Sequence, residues 1–172
     1  MADIVIDTNI LADLLAQYYE DNVRDEGRFE DKGSLNKDLV RALNTILKWH
    51  LQANIEDESS SFPGLVVASS LAFVEIARQF DEIANRCFTV EQFAAFIDQP
   101  PEWFFISPVD SAIFPHLCNL PREIELPNGS IRSIEWADAI HIATAMSRGE
   151  GCLLAITDWT MKEVDVVRER II

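Results

Sequence analysis

The chain has 172 residues, enough for one domain of ordinary size, and 48% of them are hydrophobic, with 10 Phe and 4 Trp, so a packed core is expected and a disordered chain is excluded. A formal net charge of −15 disfavours a protein that grips nucleic acid by a broad basic surface. It leaves open an enzyme that meets phosphates through metal ions, and it suits a basic protein partner.

In chain order, a short apolar strand is expected at about 3–7, ending in the carboxylate Asp7. A helix follows at about 8–19, with Ile10, Leu11, Leu14, Leu15 and Tyr18 at helical spacing and Asp7, Thr8 and Asn9 as candidate caps. Residues 20–33 are charged and poor in large apolar side chains, and read as an exposed loop or frayed helix. Ser34 is a candidate cap for a helix striped by Leu35, Leu39, Leu43, Ile46 and Leu47. Residues 56–64 break the pattern. A second strand at 65–68 leads into a helix capped by Ser69 or Ser70, with Phe73, Ile76, Ala77, Phe80 and Ala84 on one side. Thr89-Val-Glu-Gln92 has the form of a capping box before a helix at about 91–97. Pro100-Pro101 ends it, and a third strand is expected at 103–106.

A short helix is expected from near Asp110, and a small hairpin around Asn128-Gly129. Ser133 then caps a predicted helix reaching about Arg148, closed by Gly149 and Gly151. A fourth strand at 153–156 stops at Thr157-Asp158, and a last helix or strand begins near Met161. Strands alternating with helices imply an α/β fold with a mostly parallel sheet covered on both faces. No linker or internal repeat divides the chain, so residues 1–172 read as a single domain with a longer helical and loop insertion at about 20–64. Cys87, Cys118 and Cys152 lie far apart without a C-x-x-C, which argues against a disulfide framework or thiolate zinc site and for a cytoplasmic home. No signal peptide is visible, and no apolar run reaches the roughly 18 residues of a membrane span.

Four acids share one property. Asp7 ends the first strand, Glu75 lies early in the helix after the second, Asp138 lies early in the helix opened near Ser133, and Asp158 follows the fourth strand. In a parallel sheet the C-terminal strand ends form the ligand-binding edge, which collects Asp7, Asp158 and Glu75; Asp138 joins them if its helix starts there. Four carboxylates in one pocket repel each other unless some are protonated or a divalent cation neutralises them. All-oxygen donors favour Mg²⁺ or Mn²⁺, which can lower the pKa of a water and stabilise charge on a phosphoryl oxygen.

At these points the chain resembles the PIN-domain family of metal-dependent ribonucleases, including VapC-type toxins of toxin–antitoxin pairs. The matching segments are Ile4-Val-Ile-Asp-Thr-Asn-Ile-Leu11, Ser70-Leu-Ala-Phe-Val-Glu75, Trp136-Ala-Asp-Ala-Ile-His-Ile-Ala-Thr-Ala145 and Ile156-Thr-Asp158. The resemblance covers most of the chain outside residues 20–64. It implies a three-layer α/β/α domain in which Asp7, Glu75, Asp138 and Asp158 hold one or two Mg²⁺ or Mn²⁺ ions and a metal-bound water cleaves RNA. It also implies that Thr8, Asn9 and Thr157 order the acids by hydrogen bonds, that the protein forms a homodimer, and that a basic antitoxin is a partner. The long 20–64 segment departs from the small toxins and could carry antitoxin, substrate or oligomer contacts, or mark another branch of the family.

Each residue also has a plainer role. Asp7 could be a helix cap, Glu75 a solvated helix residue, and Asp158 a turn residue. Asp138 is harder to explain so, because Trp136, Ala137, Ala139 and Ile140 surround it and a lone acid in such company calls for a partner. Glu135 is expected to face solvent near a helix start, and His141 to serve the core or an interface. The tryptophans are expected in the core or at an interface, with Phe29, Trp49, Trp103 and Phe114 the interface candidates. Two other functions compete. One is a catalytically silent PIN-like scaffold that binds a protein partner. The other is a Mg²⁺-dependent phosphotransfer or receiver-type domain. Against the latter, Asn9 and Leu11 stand where haloacid-dehalogenase-like enzymes need Asp and Thr, and the last strand lacks the receiver lysine.

Overall fold

The computed structural model describes residues 2–20, 23, 27–52, 64–80 and 88–172. Four parallel strands build the central sheet: β1 (Ile4–Ile6), β2 (Val66–Ser69), β3 (Phe104–Ser107) and β6 (Leu153–Ala155), in the order β3-β2-β1-β6. Each strand is a short, largely apolar run, as strands covered on both faces require. Ile4 pairs with Val66 on one side and Leu153 on the other, and Ile6 with Ala68 and Ala155. This register brings Asp7, Ser69 and Ile156 to one edge, each following a paired residue.

The pleat divides the apolar side chains between two layers. Ile4, Ile6, Val66, Ala68, Phe104 and Ala155 face a layer made by α1 (Thr8–Glu20), α2 (Lys37–Gln52), α3 (Ser70–Arg78) and α4 (Val90–Asp98). Val5, Val67 and Leu154 face the opposite layer, where α6 (Trp136–Ser147) brings Ile142 and Ala145. The fold is thus a three-layer α/β/α arrangement. Leu39, Leu43, Ile46 and Leu47 of α2 are all buried, each stabilising the fold by roughly 2 kcal/mol. Aromatic rings fill the larger layer: Phe96 meets Phe104 edge-on at 4.9 Å, and Phe29 meets Trp103 at 5.7 Å. Phe29 and Trp103 are therefore core residues of the chain itself and not interface residues, and Val23 and Phe29 are both 1% exposed where the sequence suggests an exposed loop.

Local chemistry sets the helix starts. Thr89 and Gln92 form the reciprocal capping box, and the Ser69 hydroxyl accepts from the Ala72 N–H. Two starts differ from the sequence expectation. Asn36, and not Ser34, caps α2, its Oδ1 accepting from the N–H groups of Asp38 and Leu39 at 3.0 and 2.9 Å. Ser133 ends a short strand and pairs with Glu123, so α6 starts later, with Glu135 in the capping position and no side-chain bond. α5 (Phe114–Asn119) also starts later than expected, Asp110 closing a turn by accepting from the Ala112 N–H. Ala77 of α3 is exposed. The expected break at 56–64 lies outside the described residues except for Gly64, as do Ala84 and Cys87.

The antiparallel hairpin β4 (Glu123–Glu125) and β5 (Ile131–Ser133) stands apart from the main sheet. Its turn places Gly129 at φ +79°, a conformation that other residues rarely adopt. After β6 the chain takes two 3₁₀ turns, and Ile171 then bridges Leu154 in parallel, covering part of the β6 edge. Among the described residues no helix is long and apolar enough to cross a membrane.

Candidate functional site: an acidic edge of the sheet

Asp7 follows β1 and is buried, 6% exposed. Its Oδ1 accepts from the Ile10 N–H at 2.8 Å, which caps α1. Its Oδ2 accepts from both the backbone N–H and the hydroxyl of Thr157, at 2.6 and 2.7 Å. Asn9 Nδ2 donates in turn to Thr157 Oγ1 at 3.0 Å. The Asp7 carboxylate thus ties the exit of β1 to the exit of β6, and its helix-cap role is real.

Glu75 lies in the second turn of α3 and is partly buried. Its Oε2 accepts a short hydrogen bond from the Thr8 hydroxyl. Asp158 follows β6 and caps the first 3₁₀ turn, its Oδ1 accepting from the N–H and hydroxyl of Thr160 at 3.0 and 2.7 Å. It is also held by Arg132 of the hairpin, whose Nη2 lies 2.6 Å from Oδ2. Arg132 Nη1 reaches Asp158 Oδ1 and Thr160 Oγ1 at 3.3 and 2.7 Å. Sequence reading missed Arg132; the one signal for it was the hairpin placed directly before the Asp138 helix.

Asp138 differs from the other three. It sits in the first turn of α6, is half-buried, and among the described residues has no hydrogen bond or ion pair. Burial, then the negative charges of Asp158 and Asp7, push its carboxyl up to about 6, against a smaller opposing pull from Arg132. Glu135, exposed at the helix start, adds a further push in the same direction. The four acids are therefore not one closed cage. Asp138 feels Asp7 and Asp158 across the edge, and Glu75 is linked to Thr8.

His141, one turn after Asp138, is 2% exposed. Burial holds its pKa below the ordinary value, although Asp7 and Glu75 pull the other way. The 3.9 Å between its Nε2 and Glu75 Oε2 is too long for a hydrogen bond, and a neutral imidazole fits better than an ion pair. Of the tryptophans, Trp103 lies in the core at 5% exposure, and Trp136 and Trp159 are 61% and 64% exposed. These two stand two residues before Asp138 and directly after Asp158.

The donor chemistry suits a hard divalent cation: repelling carboxylates, one of them without a protein partner. The geometry is less closed. Among the described residues no three of His, Cys, Asp and Glu are grouped to hold a metal ion. Asp7 is occupied by backbone and Thr157 donors and Asp158 by Arg132, so Asp138 and the second oxygen of Glu75 are the readiest ligands. Compared with models of known protein families, with curated proteins and with solved structures, the chain matches none. The site is therefore read from its own chemistry.

Proposed function

We propose that this chain is a PIN-like, Mg²⁺- or Mn²⁺-dependent endoribonuclease. The observation that carries the reading is Asp138: a half-buried, unpartnered acid under the repulsion of Asp7 and Asp158 at the ligand-binding edge of a parallel sheet. A structural acid finds a donor; an acid kept without one is available to a cation. The bound cation would supply Lewis-acid chemistry, lowering the pKa of a water and offsetting phosphoryl charge.

The chain's own residues would do the rest. Asp138 and Glu75 would bind, Asp7 would fix the meeting of β1 and β6, and Thr8, Asn9 and Thr157 would keep the acids oriented. Arg132 would be a phosphate-facing cation once released from Asp158. A net charge of −15 suits a basic antitoxin as partner, and the family resemblance adds a homodimer.

The test is cleavage of a labelled RNA pool, tRNA and rRNA included, by the purified protein with Mn²⁺, Mg²⁺ or EDTA, beside Asp138→Asn. Metal-dependent cleavage lost in Asp138→Asn upholds the reading; cleavage equal in both proteins exposes a contaminant. That no acidic trio closes among the described residues favours a second reading, the silent scaffold that binds a protein partner. Mn²⁺ binding without any cleavage would select it, and absence of both would sink the acidic-site reading.

A further inference from the structure

Four polar side chains from four elements run in a line behind the acidic edge. The Ser69 hydroxyl, at the end of β2, lies 3.3 Å from Nδ1 of His141 on α6. His141 Nε2 lies 3.4 Å from Oγ1 of Thr8, at the start of α1. The Thr8 hydroxyl in turn donates to Oε2 of Glu75 on α3. Ser69 and His141 are buried, at 0% and 2% exposure. Neighbouring positions Ile140, Ile142, Ala143 and Ala145 of α6 are all buried, and the other buried polar residue there, Thr144, turns its hydroxyl back to the Ile140 carbonyl, so the imidazole is the buried group of this stretch that reaches other elements.

Donor counting gives the line a direction. Thr8 has one hydroxyl hydrogen, and the Glu75 carboxylate takes it. Thr8 Oγ1 must then accept from His141, which puts the imidazole hydrogen on Nε2. Nδ1 is left as an acceptor for the Ser69 hydroxyl hydrogen. Ser69 Oγ keeps a lone pair for the Ala72 N–H, 3.4 Å away, and so still caps α3. Every group in the line is satisfied in this arrangement. In the other tautomer Thr8 would have to donate to two acceptors with one hydrogen.

We propose that His141 is a positioning residue for Glu75: as the Nε2–H tautomer it fixes Thr8, and through Thr8 holds Oε2 of the carboxylate. Oε1, which among the described residues accepts from no protein group, is left for a ligand. The same line locks α6 against α1 and α3, and Asp138 lies on α6 one turn before His141. His141 therefore sets the spacing between Asp138 and Glu75, the two acids most open to a cation. The role as metal-site positioner rests on the function proposed above; the hydrogen-bond line does not.

The test has two arms on the full chain. Long-range ¹⁵N–¹H correlation NMR of the imidazole reads the tautomer directly, whether or not the protein is a nuclease. The Nε2–H form is expected, and a dominant Nδ1–H form overturns the proposal. Calorimetric Mn²⁺ titration then compares wild type, His141→Phe and His141→Gln. Phe keeps the packing without the bonds, and Gln restores a donor near the Nε2 position. An affinity loss of about 10-fold in His141→Phe, substantially recovered in His141→Gln, is expected. A folded His141→Phe that binds Mn²⁺ as wild type does would overturn the positioning role.

If wild type binds no Mn²⁺, the metal reading fails, and the Glu75 side-chain carboxyl ¹³C resonance becomes the readout. Its displacement in His141→Phe with return in His141→Gln upholds the line, and an unmoved resonance refutes it. Should His141→Phe not fold, Thr8→Val breaks the line at its middle with the imidazole kept. In that variant the His141 Nε2–H proton resonance decides: its upfield shift on losing the Thr8 acceptor upholds the line, and an unmoved resonance refutes it.

Discussion

Asp7 and Asp138 make opposite use of the same functional group. Both oxygens of Asp7 accept from protein donors, so replacing the carboxylate by an amide turns an NH₂ toward either Ile10 N–H or Thr157. Asp7→Asn is expected to lose about 1–2 kcal/mol of stability, visible as a lower midpoint in denaturant. Loss of activity in that variant would be ambiguous, whereas Asp138→Asn breaks no bond among the described residues. Asp138 has the reverse signature in pH. Its folded-state value of about 6 stands above the ordinary 3.8, so the folded form holds the proton more tightly. The stability this contributes is present below about pH 4 and is lost as pH rises toward 6. Asp138→Asn, neutral throughout, is expected to match wild type near pH 4 and to exceed it by about 1 kcal/mol at pH 7, after allowance for solvent screening. A Tm series across this range without metal checks it. Equal pH profiles for the two proteins would show that the acid is not under strain. Added Mn²⁺ should reverse the order, stabilising wild type alone.

At the scale of elements, the β4–β5 hairpin is a second input to the acidic edge, since it delivers Arg132 to Asp158. If the guanidinium stands where a cation's charge would act, Arg132→Gln should tighten Mn²⁺ binding several-fold, read by calorimetry at fixed pH. Weakened binding would mean that Arg132 holds Asp158 in place for the metal. The hairpin itself was legible from Asn128-Gly129, but its Arg132 contact marks where sequence reading stopped. The strands, the α3 and α4 caps and the apolar stripe of α2 were legible because each follows from short-range periodicity or a side chain bonding three residues away. Ser34 and Ser133 look like caps by the same rule, yet neither is one. Asn36, two residues on, takes the α2 cap in place of Ser34, and Ser133 is drawn into the ladder with Glu123. Arg132 against Asp158 and His141 between Ser69 and Thr8 were illegible for the same reason: each contact is fixed by which layers pack together.

Across the whole molecule, 29 acidic residues against 14 basic ones surround an edge proposed to bind a polyanion. Such a surface displaces few counterions. Between about 50 and 200 mM salt, RNA affinity should change by less than about threefold, where a protein with many phosphate contacts loses roughly a thousandfold or more. Filter binding of Asp138→Asn at fixed Mn²⁺ would measure this slope, and a steep fall would point to a basic track beyond the acidic edge. The strand order has a further consequence, one of time. β1 is flanked by β2 and by β6, and the bonds that complete Asp7 come from Thr157, 150 residues later. On a ribosome Asp7, Thr8 and Glu75 emerge and can organise around β1 and β2 while β6 is still being made. The last partner of the first acid arrives only with the final strand of the sheet. A nascent or truncated chain that stops before β6 therefore carries Asp7, Glu75 and Asp138 without Asp158 or the edge that arranges them, and synthesis itself delays assembly of the site.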